Sequence, residues 1–266
     1  MNLPIPPRPD TGLPLGSTST TIGDGRPRST WGWFAAIGVY LLAFLAGGFA
    51  TIPIILLLGD TSVNGAIGQS EIIATIAADL VITGVLMFWL VRWHREWRSA
   101  MVLPPPRDRL LRHVVYGVVA GAILVPAIGL VSGVIEETLR QAVGHAVTTP
   151  EQVAPGLSPF ARFLLVILAV VVAPITEEFF FRGILFRTVR DRHGFWPAAL
   201  ASAIPFGLAH YVPAPAIDAA VLQLTMVFTG IGLAWVYDRR GTIVASMAAH
   251  MAFNVIGVVT ILAIVR

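Results

Sequence analysis

Glu177, Glu178 and Arg182 belong to the run Glu177-Glu178-Phe179-Phe180-Phe181-Arg182, inside a stretch otherwise apolar enough to cross a bilayer. Charge at bilayer depth is costly, so ionisable side chains held there call for a functional reason. On a helix, Glu178 and Arg182 lie four residues apart and share a face, with the acid first, the favourable order for an ion pair. Glu177 is rotated by about 100° from Glu178 and has no such partner on its own helix. The pattern predicts a locked pair, Glu178 with Arg182, beside a free carboxylate, Glu177, able to take a proton from water.

Two later segments add polar groups. Phe206-Gly207-Leu208-Ala209-His210 ends on a histidine, and His250-Met251-Ala252-Phe253-Asn254 places His250 and Asn254 on one helix face. Each has a plain explanation when taken singly. Glu178 and Arg182 serve equally well as an interhelical clamp, a lone buried histidine is more often a packing group, and an asparagine is often helix–helix glue. Phe179, Phe180 and Phe181 read as packing or lipid contacts. Counted at about 1.5 Å of rise per residue, however, the polar positions fall at similar depths on three segments, which packing does not require. His210 could help Glu177 activate a water, and His250 with Asn254 could donate hydrogen bonds to a developing oxyanion. Glu177, His210 and His250 also form a donor set of the kind that holds zinc, although no His-Glu-x-x-His helix accompanies them. The absence of cysteine excludes a thiol nucleophile, and no Gly-x-Ser-x-Gly elbow is present.

The elements that must carry these residues are helical and membrane-spanning. The 266 residues are 56% hydrophobic and 12% charged, against about 25% charged in soluble domains. The fold class is therefore all-α, a polytopic transmembrane helical bundle. Apolar segments are expected near residues 33–58, 72–93, 114–135, 160–186, 197–212, 219–237 and 242–265, about seven spans. The fifth is short and contains Pro205 and Gly207, so a kinked or re-entrant segment is expected. Residues 1–30, rich in Pro, Gly, Ser and Thr, read as a disordered cytoplasmic tail rather than a signal peptide. Residues 31–135 form an N-terminal group of spans, and 160–266 the group that carries the polar residues.

Arginine placement orients the bundle. Arg8, Arg26, Arg28, Arg92, Arg95, Arg98, Arg107, Arg109, Arg112, Arg187, Arg190, Arg192, Arg239 and Arg240 all fall on one side of seven spans. The other side holds Asp60, Glu71, Glu136, Glu137, Arg140, Glu151 and Asp218. The positive-inside rule then puts the N-terminus in the cytoplasm. Trp31, Trp33, Trp89, Trp93 and Trp97 fit interfacial anchors. A net charge of +3 on such a chain asks for no nucleic-acid partner. Glu136-Glu137-Thr138-Leu139-Arg140 resembles the acidic pair, but its register sets Glu136 four residues from the arginine, and it reads as a solvated helix end. His94, His113, His145 and His193 are expected in solvated loops or interfaces. Asp79 is a buried candidate with no partner that the sequence names.

The motif residues resemble the CPBP family of intramembrane proteases, the CAAX-protease and bacteriocin-processing group. That family carries Glu-Glu-x-x-x-Arg, Phe-x-x-x-His and His-x-x-x-Asn or Asp in this order. They are matched by Glu177, Glu178 and Arg182, by Phe206 and His210, and by His250 and Asn254. The resemblance covers residues 160 to the C-terminus. It implies a catalytic set of Glu177, Glu178, Arg182, His210, His250 and Asn254, and hydrolysis of a peptide bond in a membrane-associated protein or peptide. It also implies a multi-pass protein of the cell (plasma) membrane, with the lipid bilayer as its other partner; the arginine-only, loop-poor chain reads as bacterial. The family is often labelled metalloprotease, so a divalent metal such as zinc is the cofactor it admits; a glutamate-activated water needs none. Two other classes fit the same residues: a non-catalytic immunity or scaffold protein of this fold, and a transporter or proton relay. Against the transporter, no inverted repeat is detectable.

Overall fold

A computed structural model describes residues 29–62, 66–95, 97–101, 107–150, 152–153 and 156–264. Of the tail expected over residues 1–30, only Ser29 and Thr30 lie among them. The helices are α1 (Trp33–Leu58), α2 (Gln69–Trp93), the single turn α3 (Trp97–Ala100), α4 (Arg107–Val143), α5 (Pro159–His193), α6 (Phe195–Ala209), α7 (Ala216–Arg240) and α8 (Ile243–Ile264). Six of them are long and apolar enough to cross a membrane, and α6 is the shorter apolar helix. The chain is a multi-pass, all-helical membrane protein of about seven spans. Large apolar side chains such as Phe34, Phe49, Leu56 and Leu57 stand exposed along α1, as lipid contact allows and water would not.

Two expectations of extent change. α6 runs over 15 residues, about 22 Å at helical rise, and so falls short of the roughly 30 Å hydrocarbon core. It stops at His210 with Pro205 inside it. α5 runs on past Phe186 to His193, so Arg187, Arg190 and Arg192 are helical rather than in a loop. Arg187 is buried and pairs with Asp191 one turn on, Nε to Oδ1 3.0 Å.

The two faces of the bundle are each internally joined. On the arginine-rich face the Ser29 N–H donates to Asp191 Oδ2 at 2.7 Å, Thr30 bonds His94 at 2.9 Å, and Arg190 pairs with Asp238 at 2.7 Å. On the opposite face the Ile67 N–H donates to the Gln152 carbonyl at 3.1 Å, and the Thr148 N–H donates to Asp218 at 3.0 Å. These contacts set the chain ends of the spans together in the alternation that the arginine pattern predicts.

α5 is the central element, touching α1, α2, α6, α7 and α8. All nine residues of Glu178–Phe186 are buried, so the three phenylalanines pack inside the protein and do not face lipid. α4 and α8 approach closely because Gly117 and Gly121 face Ala245, Ala248 and Ala249; a methyl group on either glycine would overlap backbone of α8. Small residues one turn apart are what lets membrane helices come this near.

Two minor readings are corrected, and one is met. His113 is buried, 8% exposed, because α4 already packs there. His94 is half-buried against Trp31 and Trp89; burial lowers its pKa below the usual histidine value. Arg140 pairs with Glu137 three residues back, Nη2 to Oε1 2.6 Å, while Glu136 accepts from the Thr149 hydroxyl at 2.6 Å. That segment is helical and exposed, as expected of a solvated helix end.

Candidate active site

α5 changes winding twice. Leu168–Val172 and Glu178–Phe186 are π-helical, with the backbone bonded five residues back. Single-turn π segments in α-helices often mark functional sites; here the second begins at Glu178, one residue past Glu177, and includes Arg182. Glu178 Oε1 and Arg182 Nη1 are 2.9 Å apart, and both side chains are fully buried. Further hydrogen bonds offset the desolvation of such a pair, although Arg182 Nε and Glu178 Oε2 find none among the described residues. Arg182 Nη2 donates to the Gly230 carbonyl at 3.0 Å, and its guanidinium carbon lies 4.5 Å from the Phe206 ring centroid.

Phe206 is the hub of the site. Around its ring stand Phe181 at 5.3 Å, His210 at 4.6 Å and His250 at 5.9 Å between centroids. Phe206 therefore fixes the arginine and both histidines at once. Its carbonyl also takes the His210 Nδ1 hydrogen at 2.7 Å. A carbonyl can only accept, so this bond puts the proton on Nδ1 and leaves Nε2 as the basic nitrogen.

His250 bridges the acidic pair. Its Nδ1 donates to Glu178 Oε1 at 3.1 Å, and its Nε2 lies 3.8 Å from Glu177 Oε2. Glu178 Oε1 thus receives both Arg182 and His250, while Glu178 Oε2 and Glu177 Oε2 are each buried with no hydrogen-bond donor among the described residues. The expected division between a locked and a free carboxylate is present, with His250 joined more closely to the locked one.

Asn254, one turn beyond His250, donates Nδ2 to the Ala169 carbonyl at 2.7 Å. The reason lies in α5. The Ala173 N–H bonds Leu168 O, five residues back; the next donor in that register would be residue 174, which is proline and has no N–H. Ala169 is left with a carbonyl to satisfy, and Asn254 satisfies it. Pro174 is the sequence signal for this strut, and the motif reading passed over it.

Glu177, His210, His250 and Asn254 line one cavity of about 500 Å³, otherwise mostly apolar. Glu177 is 24% exposed to it and Glu178 not at all. Asp79 lines the same cavity from α2, as does Tyr40 from α1, whose ring stacks on Phe180 at 3.8 Å. Asp79 thereby gains the neighbour that the sequence did not name. Thr176, beside Glu177, bonds Thr83 on α2 at 2.8 Å, which pins α2 to the motif.

Zinc would need three donors within about 2.0–2.2 Å of one point. Among the described residues no three His, Asp or Glu side chains are so arranged. His250 Nδ1 is turned to Glu178 and His210 Nδ1 to a backbone carbonyl. The donor set as placed does not fit a zinc ion.

Fold and site together define a membrane-embedded helical bundle with a carboxylate–histidine cavity built from α5, α6 and α8. Residues 159–256 match the family model described as "Type II CAAX prenyl endopeptidase Rce1-like". A Bacillus subtilis (strain 168) protein described as "Putative membrane peptidase YdiL" is 31% identical over 105 residues, 39% of each chain. The chain thus spans about two fifths of that relative's length. No solved structure matches. Over residues 159–256 the chain is thus similar to the group that its motifs resemble.

Proposed function

We propose that the chain is a membrane-embedded endopeptidase that hydrolyses a peptide bond of a membrane-associated protein or peptide. The observation that supports this reading best is Glu177, which lines a cavity shared with two histidines and whose Oε2 has no hydrogen-bond donor among the described residues. Burying such an atom without a hydrogen bond is unfavourable by several kcal/mol at least, and a water held there would satisfy it.

In this mechanism Glu177 takes a proton from that water as its oxygen attacks the scissile carbonyl. His210, with Nε2 free, holds the water and moves the proton. The tetrahedral oxyanion accepts from the second N–H of the Asn254 amide and from His250 when protonated. The proton on Glu177 or His210 then passes to the leaving amine as the C–N bond breaks. Glu178 and Arg182 are positioning residues: they hold His250 and, through Phe206, the His210 helix. Glu177→Ala and His210→Ala test the assignment in cells. Membrane-protein fragments should disappear and uncut precursors accumulate relative to wild type, read by mass spectrometry of peptide termini at equal expression. Unchanged fragments in both variants would reject the peptidase.

A further inference from the structure

We infer that Asp79 is a specificity-determining residue of the same cavity, where it receives a basic side chain, lysine or arginine, of the polypeptide beside the scissile bond. This deepens the peptidase reading and rests on it for the word substrate; the binding of a basic side chain does not.

α2 turns a polar stripe toward α5. Thr75, Asp79 and Thr83 follow one another at four-residue spacing and so share a face of the helix. Thr83 is bonded to Thr176, and the Thr176 hydroxyl oxygen lies 3.5 Å from the Asp79 carbonyl. Asp79 is thereby held beside the residue that precedes Glu177. Both carboxylates line the one cavity and are near enough for their charges to interact. Asp79 stands about 15 Å from the start of α2 and about 21 Å from its end. An acid at such depth is expected to pair with another polar group. Its half-buried side chain makes no hydrogen bond or ion pair among the described residues. No arginine is among the described lining residues. The two histidines of the cavity are turned elsewhere, His210 to the Phe206 carbonyl and His250 to Glu178. The cation that matches Asp79 therefore comes with the bound polypeptide. Tyr40, Phe44 and Ile82 line the same cavity and suit the methylene stem of a lysine or arginine whose head group reaches the carboxylate. An apolar side chain in that place would leave Asp79 unpaired, which is how a polar site rejects an analogue that lacks the matching group.

Binding tests this without any need for turnover. Glu177→Gln serves as an uncut background and leaves Asp79 the only carboxylate among the described lining residues. Two labelled peptides of alanine and leucine, one with a central lysine and one with methionine in its place, are titrated onto the full chain in detergent. Adding Asp79→Asn should weaken binding of the lysine peptide about ten- to a hundred-fold and leave the methionine peptide unchanged. Asp79→Thr, which continues the threonine stripe, stands in if Asp79→Asn does not fold. In cells, the peptide termini that depend on Glu177 should carry lysine or arginine beside the cut. Asp79→Asn at equal expression should lose that preference while cutting goes on. An equal loss for both peptides, no loss for either, or an unchanged preference at the termini would overturn the inference. Loss of all cutting in Asp79→Asn would overturn it too, by placing Asp79 in the chemistry. If no termini depend on Glu177, the peptidase reading fails, while the two peptides still decide what Asp79 binds.

Discussion

Asn254 Nδ2 and the carbonyl of Ala169 are 2.7 Å apart, joining α8 to α5 where Pro174 removes a backbone donor. Asn254→Ala should leave that carbonyl unpaired, at a cost of about 1–3 kcal/mol. Pro174→Ala restores an N–H in the π register, so the double variant should be more stable than the two single losses sum to. Thermal unfolding in detergent measures the coupling, and additive losses would remove the proposed strut.

The buried pair Glu178–Arg182 predicts a different kind of coupling. Removing one partner leaves an uncompensated charge at full burial, and losses of about 3–5 kcal/mol are usual for that. Arg182→Met and Glu178→Leu should each unfold the protein at lower temperature. Combining them should recover part of the loss, read as the midpoint of the double variant against the singles.

Glu177 should behave in the opposite way. Its Oε2 accepts no hydrogen bond among the described residues and glutamine has the same shape, so Glu177→Gln should leave the thermal midpoint where it is. The proposed base function predicts a fall in kcat of about a hundred- to ten-thousand-fold. A lowered midpoint with activity retained per folded molecule would mark a structural glutamate.

Two pairs of glycines on α4 offer a packing test. Gly121→Ala meets the Ala249 backbone, whereas a methyl on Gly133 meets nothing within 4 Å. The first should destabilise by about 1–3 kcal/mol through overpacking. The second should be neutral or stabilising, by up to about 1 kcal/mol, as alanine replaces glycine in a helix. Equal effects in an unfolding assay would mean that α4 and α8 are not in the contact described.

The donor geometry predicts that activity does not depend on zinc. Dialysis against a chelator, with the residual metal measured, should leave processing of a purified substrate unchanged. Loss on chelation with recovery on adding zinc would show that the histidines turn toward a metal during the reaction.

Much of this protein is legible from residue types and spacing, because the bilayer imposes strict demands. Apolar length fixes the spans, and α1 falls on 33–58 as expected. The i,i+4 offset pairs Glu178 with Arg182, since both must be neutralised at depth. Other features depend on contacts between distant segments. His250 bonds to Glu178 more closely than it approaches Glu177 because of where α8 crosses α5. Phe206 looked like one letter of a motif, yet it is the ring around which Arg182, His210 and His250 are set. Asp79 had no named neighbour until the packing of α1, α2 and α5 set it on one cavity wall with Tyr40 and Glu177. Arg140 pairs with Glu137, while Glu136 takes the hydroxyl of Thr149, thirteen residues on. Local periodicity determines which face a side chain takes; which neighbour meets it is decided by how the helices pack.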